Sequence, residues 1–372
     1  MTAHRFTRRA LVSAGGLLAA TTLVACGSGG TDGGSEAASL DSNADLSKQS
    51  ITVSNWSGYM PKDVAKRFKT ATGSSLTATE HATNEEIMAK LTTGADSGID
   101  VAFVSGQYAQ ALNDAGLLEP IHRDLVPNID NLYPQATQLA FDKGNKYSVP
   151  YTWGTTGICY RSDLVKPAPT SWNDILSPDP KYDGKVTMLS TERWLALPAQ
   201  KALGYSVNTT DDAELAEMKA KLSDAKKHLL GYDNTTFYEK LVSGEAVMTE
   251  AWDGWCGYGM AENPKIKFVV PKEGSDLWSD TMVVLKGSKN KEAAFAFVNM
   301  MLDPKVHSWV VDNVYYNVPN KAAEALVADS LKKQFPQLAV SPDDLAKGEV
   351  LVDLGEDSTK YTDLTTDVTA SS

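Results

Sequence analysis

Cysteine is nearly absent from this 372-residue chain, with three in all, at positions 26, 159 and 256. No CxxC, HExxH, P-loop, GxSxG or EF-hand spacing occurs, and the five histidines (His4, His81, His122, His228, His307) are scattered. Metal, dithiol and triad chemistry therefore have no support, and no cofactor is expected. Basic residues are also in deficit, 35 against 47 acidic, for a net charge of −12. Residues 1–25 hold Arg5, Arg8 and Arg9 and no acid, so the remainder stands at 32 against 47, or −15. Such a surface repels phosphate backbones and excludes nucleic acid as a partner, while it suits a cationic ligand. No uninterrupted apolar run approaches the ~20 residues that span a bilayer, and no internal repeat is found. What is present is an ordinary globular balance, 42% hydrophobic and 22% charged, over a length that suits about two domains.

The start of the chain reads as an address. Arg8-Arg9 precede the apolar stretch Ala10 to Ala25, which is broken by Ser13, Gly15, Gly16, Thr21 and Thr22. A positive start before a short apolar run is an export signal, and paired arginines point to the twin-arginine route. The stretch ends Leu23-Val24-Ala25-Cys26, which resembles the lipobox of bacterial lipoproteins, where the cysteine is lipidated and becomes the new N-terminus. Residues 1–25 are expected to be the signal peptide. Residues 26–50, rich in Gly, Ser, Asp and Ala, are expected to form a flexible tether. The product would be held on the extracytoplasmic face of the cell membrane. Export permits a disulfide, and the residues alone leave open whether Cys159 and Cys256 pair or stay as buried thiols.

From Ile51 onward, short β-rich runs alternate with amphipathic stretches. The segments 51–53, 100–104, 185–189, 246–249, 266–270 and 282–285 read as strands. Helical spacing joins Val64, Phe68 and Ala71 behind Pro61, which suits a first helical turn. It also joins Ile87, Met88 and Leu91, then Leu215, Met218, Leu222 and Leu229, then Ala294, Val298 and Met301. This alternation predicts an α/β fold. Trp172 and Trp309, in helical contexts, are expected in the core. Five aromatic sites stand instead at expected strand ends or loops: Asn55-Trp56-Ser57-Gly58-Tyr59, Trp153-Gly154, Trp252-Asp253-Gly254-Trp255, Leu277-Trp278-Ser279-Asp280 and Tyr315-Tyr316-Asn317. Ligands of open α/β sheets collect at the carboxyl ends of strands. Aromatic faces with nearby carboxylates suit an organic cation, at ~0.5–2 kcal/mol per cation–π contact.

At these residues the chain resembles the spermidine/putrescine-binding proteins of ABC transporters. Further landmarks are Asn84-Glu85 with Met88-Ala89-Lys90-Leu91, Val149 to Gly154, Leu203-Gly204-Tyr205-Ser206, Pro271-Lys272-Glu273-Gly274, Lys289-Asn290-Lys291-Glu292 and Pro319-Asn320. The resemblance covers about residues 51 to 355. It implies a two-lobed type II periplasmic binding fold with the ligand in the interlobe cleft. Lobe 1 would comprise residues 51–150 and 279–318, lobe 2 residues 151–278, and residues 319–372 would return to lobe 2. It further implies that Trp56, Tyr59, Trp252, Trp278, Asp280 and Tyr316 cage a polyamine, with Asp280 meeting an amine. Gln107 and Tyr108, in a loop from Ser105, would contact ligand, and Asp253 joins the set. The expected role is a monomeric, non-enzymatic substrate-binding lipoprotein that hands its cation to ABC permease subunits.

The departures fall at one end. Thr191 and Trp194 occupy positions where the family carries amine-binding acids, and Leu351 replaces a polar amide. Glu192, one position off, is expected to point elsewhere, although Glu192, Trp194 and Glu250 remain secondary candidates. The far end of the ligand should therefore differ, with a diamine or compact amine favoured over spermidine. A sensor role, or a scaffold for another small molecule, is the alternative. A hydrolase using Glu192, Glu250, Asp253 or Asp280 is disfavoured, because carboxylate pairs are common.

Overall fold

The computed structural model describes residues 40–93 and 97–370. The signal peptide and Cys26 lie outside the described residues. Within them, no helix is long and apolar enough to cross a membrane.

Two sheets organise the chain. The first holds β1 (Ser50–Asn55), β2 (Ser75–Glu80), β3 (Val101–Ser105), β4 (Val149–Gly154), β10 (Asp276–Val284) and β11 (Glu349–Val350). Its order is β11-β10-β3-β1-β2, with β4 also on β10. The second holds β5 (Thr156–Arg161), β6 (Val186–Met188), β7 (Leu229–Tyr232), β8 (Met248–Trp252) and β9 (Ile266–Val269), in the order β7-β6-β8-β5-β9. β1 is parallel to β2 and β3, and β6 is parallel to β7 and β8. β10 runs antiparallel to β3 and β4. Mixed sheets flanked by helices are what alternating strand and helix patterns produce.

The local reasons are ordinary ones. β3 is buried on both faces (Val101 to Ser105) and so reads as a continuous apolar run. The helix Val64–Thr72 buries Val64 and Phe68 and stops at Gly73, whose φ of +77° favours glycine. The helix Asn84–Thr92 buries Ile87 and Leu91, and Thr83 caps its Glu86 N–H. Ahead of Ile51, Gln49 already bonds Glu292 and the Ala293 N–H, which ties β1 to the helix Lys291–Met301. Trp172 is fully buried with its Nε1 on the Gly274 carbonyl, and Trp309 packs half-buried against the core.

Several expectations need correction. Leu229 does not continue a helix: Asp212–Ala225 gives way to a short turn, and Leu229 opens β7. Pro61 precedes the helix by three residues, within a turn closed by the Val64 N–H on its carbonyl. Trp278 and Asp280 do not stand at a strand end or in a loop but lie inside β10, whereas Trp153-Gly154 end β4 as expected. Gln107 and Tyr108 stand in the first turn of the helix Gly106–Asp114, not in a loop. The two cysteines form a disulfide, joining β5 to the helix Asp253–Glu262 with Cα atoms 5.8 Å apart.

Candidate functional site

The chain passes between the sheets at Thr155, after β4, and again at Ser275, before β10. Asp276 holds these crossings together. Its carboxylate accepts from Thr156 N (2.9 Å), Thr156 Oγ1 (3.1 Å), Ser275 Oγ (3.1 Å) and Trp194 Nε1 (2.9 Å). β10 then carries Trp278 and Asp280 on the same face, because side chains alternate along a strand.

Asp280 is the open acid of this region. It keeps partial exposure, whereas Glu250, Asp253 and Asp276 are buried. Oδ2 accepts from Tyr59 Oη at 2.7 Å, and Oδ1 from Ser105 Oγ at 2.7 Å. Thr152 Oγ1 stands 2.7 Å from Tyr59 Oη and 3.5 Å from Oδ2. Every donor is a neutral hydroxyl. Burial pushes the Asp280 carboxyl above its ordinary range against these hydrogen bonds, and it pushes Tyr59 well above 10.

Aromatic rings continue from this acid. Trp56 meets Tyr59 edge-on at 5.4 Å, Tyr59 meets Tyr316 at 6.0 Å, and Tyr316 meets Trp278 at 4.7 Å. Two glycines allow the approach. A Cβ on Gly154 would stand 2.3 Å from the Trp278 ring and 2.5 Å from Asp253 Oδ1. A Cβ on Gly254 would stand 2.1 Å from the Tyr316 ring. Asp253 accepts its own helix's Gly254 N–H at 2.8 Å and the Thr155 N–H at 3.4 Å. Trp278 Nε1 is buried without a partner. His81 packs on Trp56 at 4.9 Å, and burial drives its pKa down to about 4.

The second sheet supplies the rest. Trp252 ends β8 and meets Trp194 edge-on at 5.6 Å. Glu250, two residues earlier, is fully buried: Oε2 accepts the Leu189 N–H at 3.1 Å and Oε1 has no partner. Burial pushes both Glu250 and Asp253 well above the usual carboxyl range, and Asp276 upward as well. Among the described residues, no lysine or arginine is among the main causes of the shift of any of these four acids.

Gln107, Tyr108 and Glu192 come together slightly apart, around a cavity of about 60 Å³ shared with Arg193, Asp353 and Ser358. Tyr108 donates to Glu85 at 2.5 Å, and Glu192 accepts from Thr362 at 2.9 Å. Glu192 thus faces Gln107 and Tyr108 across this cavity. A larger cavity of about 270 Å³ lies on the other face of β4, against Trp153 and Tyr133. Its Glu324 and Lys332 pair with each other, leaving no charge over for a ligand. The unpaired acids, not the larger volume, mark the site.

Sequence reasoning missed Asp276, the hydroxyls of Ser105 and Thr152, and the glycine contacts. Asp276 gives no signal, since its partner Trp194 is 82 residues away. The two hydroxyls stood within landmarks, Ser105 at the start of the loop to Tyr108 and Thr152 between Val149 and Gly154, but were not singled out as site residues.

Residues 63–334 match the model of a family described as bacterial extracellular solute-binding protein. The spermidine/putrescine-binding periplasmic protein of Salmonella typhimurium is 30% identical over 311 residues, 82% of this chain and 88% of that one. The putrescine/cadaverine-binding protein of Pseudomonas aeruginosa is 30% identical over 76% of this chain and 83% of its own. A solved spermidine/putrescine ABC transporter substrate-binding protein from Streptococcus pneumoniae superposes with a TM-score of 0.74 at 28% identity, covering 86% of this chain and 98% of that one. A lipoprotein of Treponema pallidum superposes with a TM-score of 0.78 at 26% identity, covering 87% and 100%.

Proposed function

This chain belongs to the bacterial extracellular solute-binding protein family, and from that premise we propose that it captures a small organic amine cation between its two lobes for an ABC permease. It is a substrate-binding protein and not an enzyme. The observation that carries the ligand class is Asp280. It is a partly exposed carboxylate held by neutral hydroxyls alone and walled by Tyr59, Trp278 and Tyr316. Leaving a carboxylate in an apolar wall without a counter-charge is costly, and an ammonium relieves that cost while the rings add cation–π attraction. Three further acids, Glu250, Asp253 and Asp276, are buried with no ion pair to a basic residue among the described residues. Named relatives bind putrescine, cadaverine or spermidine, which agrees with this class.

In this reading Trp56, Tyr59, Trp252, Trp278 and Tyr316 form the cage, Asp280 is the anchor, and Asp253, Gln107 and Tyr108 flank them. Lobe 1 comprises residues 51–150 and 279–318, and lobe 2 comprises 151–278 with the returning 319–372. Support comes from the first sheet holding β1 to β3 with most of β10 and the second holding β5 to β9, whereas residues 151–154 of β4 and all of β11 pair in the first sheet and stand against these bounds. Closure of such lobes about a hinge is a common capture device. Cys26 is the proposed lipid anchor on the extracytoplasmic face after twin-arginine export, supported by Leu23-Val24-Ala25-Cys26. Cys26→Ser should release the mature protein from membranes or leave the precursor uncleaved.

The deciding experiment is a thermal-shift pair, because a ligand raises stability by about 2.7 kcal/mol at a hundred times its Kd. Butane-1,4-diamine should raise Tm, and the uncharged butane-1,4-diol should not. Equal shifts, or none with any amine in a wider panel, would remove the cation reading.

A further inference from the structure

We propose that Trp194 sets the length of ligand this site accepts, closing the cleft beyond Trp252 so that a short amine is held and a triamine is excluded. This rests on the cation reading above and narrows it.

Trp194 stands in the first turn of the helix Glu192–Leu203 and is only 4% exposed. Two contacts fix its indole. Nε1 donates to Asp276 Oδ2 at 2.9 Å, and the ring meets the Trp252 ring edge-on at 5.6 Å, with the planes at 84°. The first contact ties the ring to the crossing between sheets. The second sets it against a wall of the cage. A Trp held by both a hydrogen bond and a packed neighbour resists displacement by a flexible methylene chain.

The corner around it has acceptors and is closed to solvent, with Trp194, Glu250 and Asp276 all buried. Glu250 is fully buried with Oε1 unpartnered, and the Asp276 charge helps to push its carboxyl up. Asp276 is also fully buried, and the Thr156, Ser275 and Trp194 groups that donate to it are neutral. An ammonium at this corner would have two carboxyls to meet. The neighbouring cavity, about 60 Å³, is lined by Glu192 and Arg193 and not by Glu250 or Asp276. Removing the indole does two things at once: it opens volume and takes a donor off Asp276 Oδ2. The wild-type corner is therefore a closed end, and the same corner without Trp194 is a second ammonium seat.

Calorimetry on the wild type, W194A and W194F with butane-1,4-diamine and with spermidine tests this. The wild type should bind the diamine at least about tenfold more tightly than the triamine. W194A should move that ratio toward the triamine by about tenfold or more, and W194F, which keeps a ring in place, should retain the wild-type preference. A ratio in W194A within about threefold of wild type, or a wild type that prefers the triamine, overturns the role of Trp194 while leaving the cation reading intact. Failure of every amine to bind the wild type removes both. If W194A does not fold, a series of α,ω-diamines from three to eight methylenes on the wild type decides. Affinity should fall by about tenfold beyond a limiting length, and a level or rising trend through the longest overturns the inference.

Discussion

Tyr59 donates its phenolic proton to Asp280 Oδ2 across 2.7 Å, joining the turn after β1 to the middle of β10. The acid is thus oriented before any ligand arrives, and what it lacks is a counter-charge, not hydrogen bonds. Asp280→Asn keeps the shape and removes the charge. Leaving an ammonium unpaired in the cage should cost on the order of 2–5 kcal/mol, roughly 30-fold to several thousand-fold in Kd. Calorimetry with butane-1,4-diamine measures it. A change under about threefold in a fully folded variant would make Asp280 a structural residue.

Gly254→Ala places a methyl 2.1 Å from the Tyr316 ring. That ring is the link between Tyr59 and Trp278, and the adjacent Tyr315 already holds a φ of +59°. Overpacking at such a contact costs about 1–3 kcal/mol. Both Tm and amine affinity should fall. A variant with wild-type values of both would show that Tyr316 has space to retreat.

The disulfide closes a separation of 97 residues. For a loop near that size the chain-entropy model gives about 4.7 kcal/mol, and measured losses run about 2–5 kcal/mol. The paired variant Cys159→Ala/Cys256→Ala should lose stability in that range by urea denaturation, and reductant should lower the wild-type midpoint but not the variant's. Equal midpoints for both proteins in oxidising buffer would contradict this.

His307 gives the stability a definite acid limb. Its ring is fully buried, stacked on Tyr151 at 5.1 Å. It donates from Nε2 to the Tyr151 carbonyl at 2.6 Å, while Asn320 Nδ2 approaches Nδ1 at 3.3 Å. Burial pulls its pKa down to about 4 from 6.5. The unfolded chain therefore binds the proton more readily between those values. The His307 contribution is whole above pH 6.5 and is lost as pH falls toward 4, a difference on the order of 3 kcal/mol. His307→Gln, compared with wild type by urea titration at pH 7 and pH 5, should show a smaller drop. An equal drop in both would place the acid sensitivity elsewhere, with His81 the next group to test.

The strand-and-helix alternation was legible wherever burial was one-sided, as in the helices Val64–Thr72 and Asn84–Thr92. It failed where polar residues, proline or glycine interrupt a buried strand. β10 was read as beginning at Met282, because Asp276, Ser279 and Asp280 interrupt the apolar pattern. Those polar residues are admitted only because partners on β3, β4 and β5 satisfy them, and such partners are distant in sequence. β4 was hidden for a related reason, its Pro150 and Gly154 looking like breakers. Leu229 kept helical spacing by coincidence, since one position after a helix end falls on either pattern. Within the candidate site, the aromatic positions stood out by composition, while the glycines and hydroxyls that seat them matter only through contacts in space.

Asp276, Trp278 and Asp280 follow one another at every second residue of β10, so they share one pleated face, with Leu277 turned to the cluster around Trp153 on the other. The fastening between sheets, a wall of the cage and its open acid are thus graduations on a single ruler, about 7 Å apart. Exchanging any one side chain alters one graduation and leaves the spacing true. Inserting or deleting a single residue within the run would carry part of the set to the opposite face. New ligand preferences on this scaffold are therefore open to change by substitution along β10 and closed to change in its length.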